Sequence, residues 1–252
     1  MSRTAIYNAL ILRSRTCGES NREIWFLCAE AGIIKATLFG GPKSKLRSHA
    51  APFHSGQIWI YHDPIKDFYK LTDFDVQSWR PGIRELYERT MAADAIAHTI
   101  LATHAGGGNW DSALKLAKET LDALEIANEE LCTRMLIYFL WHWADFLGIK
   151  PQFDSCVSCG KNTEIQNQLF FSAREGGMVC KECADGGALG QYTNGLLLLN
   201  PGCLRWLSTI DTLAPSKLSS YTMDIKTLNE TKTLASAILA GALGQWLVSW
   251  NW

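Results

Sequence analysis

The chain has 252 residues, 47% of them hydrophobic and 19% charged, with a formal net charge of −1. That length holds one large domain or two to three small ones, and the composition is that of an ordinary soluble globular protein, which excludes a disordered or fibrous chain. A total charge so close to zero also argues against a protein that is basic throughout.

The charge is distributed unevenly, with eleven Lys/Arg against seven Asp/Glu in residues 1–80 and six against ten in residues 81–150. A basic N-terminal part joined to an acidic middle is expected where one module meets a polyanion and another does not. In the first part, short apolar runs predict strands at Ala5 to Leu12, Glu23 to Cys28, Ile33 to Phe39, Gln57 to Tyr61 and Phe68 to Val76. Turn signals separate them, among them Cys17-Gly18, Ala31-Gly32 and Gly40-Gly41-Pro42. Five short strands in about 80 residues without a long helix predict a small closed barrel, the five-stranded OB-fold being a common solution and an SH3-like barrel the other.

The densest basic stretch, Gly41-Pro42-Lys43-Ser44-Lys45-Leu46-Arg47, follows a predicted barrel strand. Beside an OB-type barrel, lysine and arginine meet phosphates of a single strand while aromatic rings stack on its bases. Lys43, Lys45 and Arg47 are therefore the candidate DNA contacts, and Phe39, Phe53, Trp59, Tyr61 and Tyr69 the candidate stacking rings. A solvated loop can equally hold three charges, and barrel aromatics commonly belong to the core.

After Trp79-Arg80-Pro81 the period becomes helical. One long helix is predicted over Gly82 to His104, a second from an Asp111 cap to about Ala127, and a third from an Asn128 cap to Gly148. Further on, Asn200-Pro201 reads as a helix start, and a last helix is expected from near Asp224 to near Trp250. No charge occurs from Thr233 to Trp252, a length close to a membrane span, but its polar and small residues predict a buried terminal helix instead.

Between the helical segments stand two Cys-x-x-Cys pairs, Cys156/Cys159 and Cys180/Cys183. That is zinc-ribbon spacing: each pair wraps two thiolates around one ion, and the intervening loop allows a hairpin. Two disulfides or four unrelated thiols are the bland alternative. Four thiolates close the shell, so the one zinc ion expected here is structural rather than catalytic. Cys17, Cys28, Cys132 and Cys203 have no matched partners, and no basic segment with an apolar run opens the chain, which together predict a reduced, cytoplasmic protein.

No catalytic site emerges. The Gly-Pro-Lys-Ser segment lacks the first glycine of a phosphate loop at the required spacing, and no histidine begins the His-x-Glu of a zinc deaminase. Asp73 and Asp75 alternate along a predicted strand, as residues of a wet face do.

Barrel, helical bundle, four-cysteine ribbon and return to helix, in that order, predict an α+β multi-domain protein. Its domains are an OB-fold at 1–80, a helical domain at 81–152 and 185–252, and a ribbon at 153–184 inserted in the helical domain. This order resembles the bacterial RecO family. The likeness rests on Gly40-Gly41-Pro42-Lys43-Ser44-Lys45 followed by Pro52-Phe53, on Gly148-Ile149-Lys150-Pro151 leading into Cys156-Val157-Ser158-Cys159-Gly160, and on Phe170, Gly176-Gly177 and Cys180-Lys181-Glu182-Cys183.

The resemblance implies a non-enzymatic DNA repair and recombination mediator. Such a protein binds single- and double-stranded DNA, anneals complementary strands and, with RecR, helps load RecA on SSB-coated DNA, in the cytoplasm at the nucleoid and not at a membrane. In one respect the sequence departs from the family: members often place a further basic pair between the loop glycines and the proline, and here Gly41 runs directly into Pro42. Two other classes stay in view, a zinc-ribbon interaction module without DNA binding and an enzyme whose cleft the sequence does not reveal.

Overall fold

Between bulges, alternate residues of the N-terminal strands point into one apolar interior. In the strand Asn21–Cys28 (β2), Ile24, Phe26 and Cys28 are fully buried, whereas Trp25 between the first two is half-buried. The strands Thr4–Cys17 (β1), Gly32–Leu38 (β3), Ser55–Asp63 (β4) and Phe68–Ser78 (β5) add Ile11, Ala36, Leu38, Ile58, Ile60, Leu71 and Phe74 to the same core. They close in the order β1-β2-β3-β5-β4, with antiparallel neighbours except for β3 and β5, which run parallel and meet at Thr37 and Lys70. This is the five-stranded OB-type barrel expected from the sequence. The computed structural model describes residues 3–40, 44–186 and 195–250.

A bulge in β1 between Ile11 and Arg13 reverses the strand's faces, so Ala9 and Ile11 point inward but Arg13 and Arg15 point outward. On the outer surface of β1 and β2, Leu10, Leu12 and Leu27 are also buried, where the helices Tyr87–Ala102 (α2) and Trp110–Leu124 (α3) pack on these strands. The outer face therefore has a covered part and an open part. A short helix, Lys45–His49 (α1), lies between β3 and β4.

The helix predicted over Gly82 to His104 is two pieces: a 3-10 turn Pro81–Glu85, then extended backbone at Leu86 and α2. Gly82 lies so close to the Glu125 carbonyl that a Cβ would sit 2.6 Å from it, and Arg89 bonds the Gly82 and Ala127 carbonyls at 2.9 and 2.6 Å. These contacts with the end of α3 hold the first turn off the axis of α2. The cap of α3 is Asn109 and not Asp111, its Oδ1 accepting from the Ser112 N–H at 3.4 Å. Asn128 caps the next helix, Glu129–Phe146 (α4), as expected, accepting from the Leu131 N–H at 3.0 Å.

The chain forms two compact units, Met1–Cys132 and Thr133–Trp252. In the second, α4 ends in a Schellman turn, with Gly148 at φ 70° and the Ile149 N–H bonded to the Ala144 carbonyl at 2.9 Å. Two hairpin strands follow, Leu169–Ser172 (β6) and Gly177–Cys180 (β7), then the one-turn helix Lys181–Asp185 (α5). Leu196–Leu199 (β8), a strand not expected from the sequence, pairs with the free edge of β6 and completes a three-stranded sheet.

Asn200 and Asp224 cap the helices Pro201–Ile210 (α6) and Ile225–Leu243 (α7), accepting from the Cys203 and Thr227 N–H groups at 3.0 and 2.9 Å. Within the same unit Trp141 Nε1 donates to Asp211 at 2.7 Å and the Tyr138 hydroxyl to the Leu213 carbonyl at 3.0 Å, tying α4 to the end of α6. The last helix stops at left-handed Gly244, short of Trp250, which is fully buried on a separate 3-10 turn. Among the described residues no helix is long and apolar enough to cross a membrane.

Candidate metal centre and nucleic-acid surface

The ribbon brings its four cysteines to one point. The sulfurs of Cys156, Cys159, Cys180 and Cys183 all lie within 4.8 Å of one another, and those of Cys159 and Cys180 are 3.9 Å apart. A disulfide requires about 2.05 Å, whereas sulfurs about 2.3 Å from a tetrahedral ion are separated by roughly 3.8 Å. The donor set therefore fits a thiophilic metal ion in a closed tetrahedral shell. Among the described residues it is the one cluster of this kind.

Local backbone geometry builds the two knuckles. Gly160 takes φ 72° and donates to the Cys156 carbonyl at 2.8 Å, folding the first pair back on itself. At Gly177 a Cβ would lie 2.2 Å from Val157, so only glycine lets β7 lie under the first knuckle, where the Val157 N–H bonds the Met178 carbonyl at 2.9 Å. The Cys180 N–H points at the Cys156 sulfur at 3.3 Å.

The thiols compete for charge. Burial pushes the Cys156 thiol up, yet N–H groups of Cys180, Cys159 and Ser158 outweigh it and hold the thiol at about 6. The Ser158 hydroxyl pulls Cys183 down, but the neighbouring Cys159 and Cys180 sulfurs push it up to about 12. One thiolate forms readily while its neighbours discourage another, and a bound cation reverses that opposition. The remaining buried cysteines sit apart as core residues: burial raises the Cys132 thiol to about 11 and the Cys203 thiol to about 12.

On the barrel, the open part of the outer face presents a row running across three strands. Arg13 of β1 is paired with Trp25 of β2, and Trp25 in turn with Lys35 of β3. The guanidinium carbons of Arg13 and Arg15 lie 5.7 and 5.3 Å from the Trp25 ring centroid. Glu23 ties the cations together, 2.6 Å from Arg15 and 3.5 Å from Lys35, and Arg15 first among its contacts holds its carboxyl below the usual range. Trp25 is not among the stacking rings expected from the sequence, although its place between inward Ile24 and Phe26 marks it as outward-facing.

Of the residues singled out from sequence, Lys43 lies outside the described residues. Lys45 is exposed at the start of α1, and Arg47 is half-buried, its Nη1 donating to the Ser20 carbonyl in the β1–β2 turn at 3.3 Å. Among the aromatic candidates Phe39 is exposed, with Lys70 5.5 Å from its centroid, while Phe53 is buried. Tyr69 stacks on His62 at 4.2 Å, and Trp59 and Tyr61 are half-buried on β4. Asp73 and Asp75 are exposed on β5, where Asp73 accepts from the Phe74 N–H at 2.8 Å.

The order of these modules matches a known pair of family models. Residues 1–78 match the model described as recombination protein O N terminal, and residues 84–250 the one described as recombination protein O C terminal. The chain belongs to the RecO family. A DNA repair protein RecO of Desulfitobacterium hafniense (strain DSM 10664 / DCB-2) is 29% identical over 197 residues, covering 75% of this chain and 68% of that relative. Another, from Syntrophomonas wolfei, is 28% identical over 190 residues, covering 70% and 68%. In this RecO-family chain both modules named by the models are therefore present, and the cysteine cluster lies in the second.

Proposed function

We propose that this protein is a DNA-pairing mediator of recombination repair that works by binding and alignment rather than by bond cleavage. It binds single- and double-stranded DNA through the open face of the barrel and anneals complementary strands. With RecR it assists the loading of RecA on SSB-coated DNA, in the cytoplasm at the nucleoid. The observation that supports this most is the Arg13–Trp25–Lys35 row, a stacking ring flanked by cations across adjacent strands. Lys43, Lys45 and Arg47 are the further proposed phosphate contacts, of which Lys45 is exposed on α1 and Arg47 reaches the β1–β2 turn.

The bound ion is zinc, one per chain, held by Cys156, Cys159, Cys180 and Cys183. Its role is structural, because four protein ligands leave no position for substrate and the ribbon has only a small core of its own, around Val179 and Ala184. The domain division proposed is an OB-fold at 1–80, a helical domain at 81–152 and 185–252, and the ribbon at 153–184. Annealing of complementary oligonucleotides, followed with and without the protein at low salt, tests this reading. Accelerated annealing with gel-shifted single strands is expected, while neither effect would leave the protein an interaction module.

A further inference from the structure

The barrel seam between β3 and β5 is short, and beside it a cleft of about 550 Å³ opens. Ile33, Lys35, Thr37, Phe68, Tyr69 and Tyr7 line it. Lys35 belongs to the cross-strand row, so the cleft begins where that row ends. Tyr7 and Tyr69 pack against the barrel core, so the cleft leads from the open outer face toward the interior. Its volume lies within the range of small-molecule sites, with room for a nucleoside.

We propose that this cleft receives one unstacked nucleobase of a single strand whose neighbouring phosphates lie along the Arg13–Trp25–Lys35 row. The inference rests on the DNA-binding reading and adds to it the group that is recognised. Phe68, Tyr7 and Tyr69 bring aromatic rings to the cleft, one face of Tyr69 being taken by His62. The Lys35 ammonium and Thr37 hydroxyl offer donors, and Glu23 and Asp67, which also line the cleft, offer carboxylate acceptors. Glu23 is balanced by Arg15 and Lys35, whereas the exposed Asp67 carboxylate opposes a phosphate inside the cleft. What suits the cleft is planar, uncharged and able both to donate and to accept, which describes a base edge and not a backbone. In a duplex the bases are paired and stacked, so the cleft serves only unpaired strands and favours them over duplex.

The test uses the full-length protein and a single-stranded oligonucleotide containing 5-iodouracil, with photocrosslinks mapped by peptide mass. Crosslinks are expected at Phe68, Tyr69 or Tyr7. Thr37→Trp, which fills the mouth from an outward strand position, should abolish these crosslinks and weaken single-strand binding about fivefold or more, the loss expected for one stacked base. It should leave the dependence on salt unchanged, because the phosphate contacts remain. Phe68→Ala, at a half-buried site, gives the same reading should the larger residue prevent folding. Crosslinks confined to Trp25, or affinity unaltered in both variants, would overturn the base-binding cleft while leaving DNA binding standing. Absence of any single-strand binding would remove both.

Discussion

Arg80 is fully buried and places its Nε 2.7 Å from Asp122 Oδ1 on α3, while its Nη1 donates to the Phe53 carbonyl at 2.7 Å and the Ser55 hydroxyl at 3.0 Å. One side chain thus joins the turn that leads into β4 to the helix that covers the barrel. Its backbone is left-handed, at φ 44°, which turns the chain out of β5 into Pro81.

Replacing Arg80 with methionine keeps the apolar stem but leaves Phe53, Ser55 and Asp122 without their donor. Loss of a buried, multiply bonded cation costs about 3 kcal/mol. Asp122 is 55% exposed, so Asp122→Asn should cost only about 1 kcal/mol. Urea unfolding of the two variants measures the difference, and equal costs would mean that the ion pair, not the buried carbonyl and hydroxyl contacts, holds the joint.

The ribbon should depend on its ion. Structural zinc contributes on the order of 10 kcal/mol to such small units, so Cys180→Ser should lose the metal and make residues 153–186 sensitive to protease. Metal analysis of protein purified without added zinc should give one zinc per chain. Metal-free protein of equal protease resistance would refute the assignment.

Acid should weaken the fold through two histidines. Burial holds His54 below its ordinary pKa; the His49 carbonyl, 2.7 Å from its Nδ1, opposes this, and Arg84, Arg80 and His49 reinforce it. Burial likewise lowers His142, against the opposing Ile210 carbonyl. Both rings are neutral in the fold and take up protons more readily when unfolded. Their contribution is therefore complete above the unfolded value of about 6.5 and declines as pH falls through it. The drop in Tm between neutral pH and mildly acidic pH should be smaller in His54→Gln, and an unchanged drop would exclude this ring as a cause.

The barrel was legible in the sequence because its inward residues alternate and its turns are punctuated by glycine and proline. The cysteine spacing alone located the four-thiol cluster. Harder to read was anything decided by contacts distant in sequence. The break at Leu86 follows from the approach of Gly82 to Glu125, and β8 gains its identity only from the free edge of β6. Trp25 could have been found by parity, but its cationic neighbours come from β1 and β3, and a bulge reverses β1 just before Arg13. The expected end of α7 near Trp250 failed because Gly244 adopts the left-handed conformation that stops a helix.

If Trp25 stacks on a base, Trp25→Ala should weaken single-strand binding by about 1–3 kcal/mol. The ring is half-buried and on the outer surface, so thermal stability should change little. Quenching of its fluorescence on adding oligonucleotide, absent in the variant, checks the contact directly.

DNA binding by the barrel is tested most directly by an anisotropy titration of a single-stranded oligonucleotide across a range of salt concentrations. The wild type is compared with a variant in which Lys43, Lys45 and Arg47 are all alanine. Each phosphate neutralised on a single strand contributes roughly 0.7 to the slope of log K against log salt, so removing three contacts should lower that slope by about 2. Folding and metal content should stay as in the wild type. A slope that is the same in both proteins, or no binding at low salt in either, would contradict recognition of DNA by these residues.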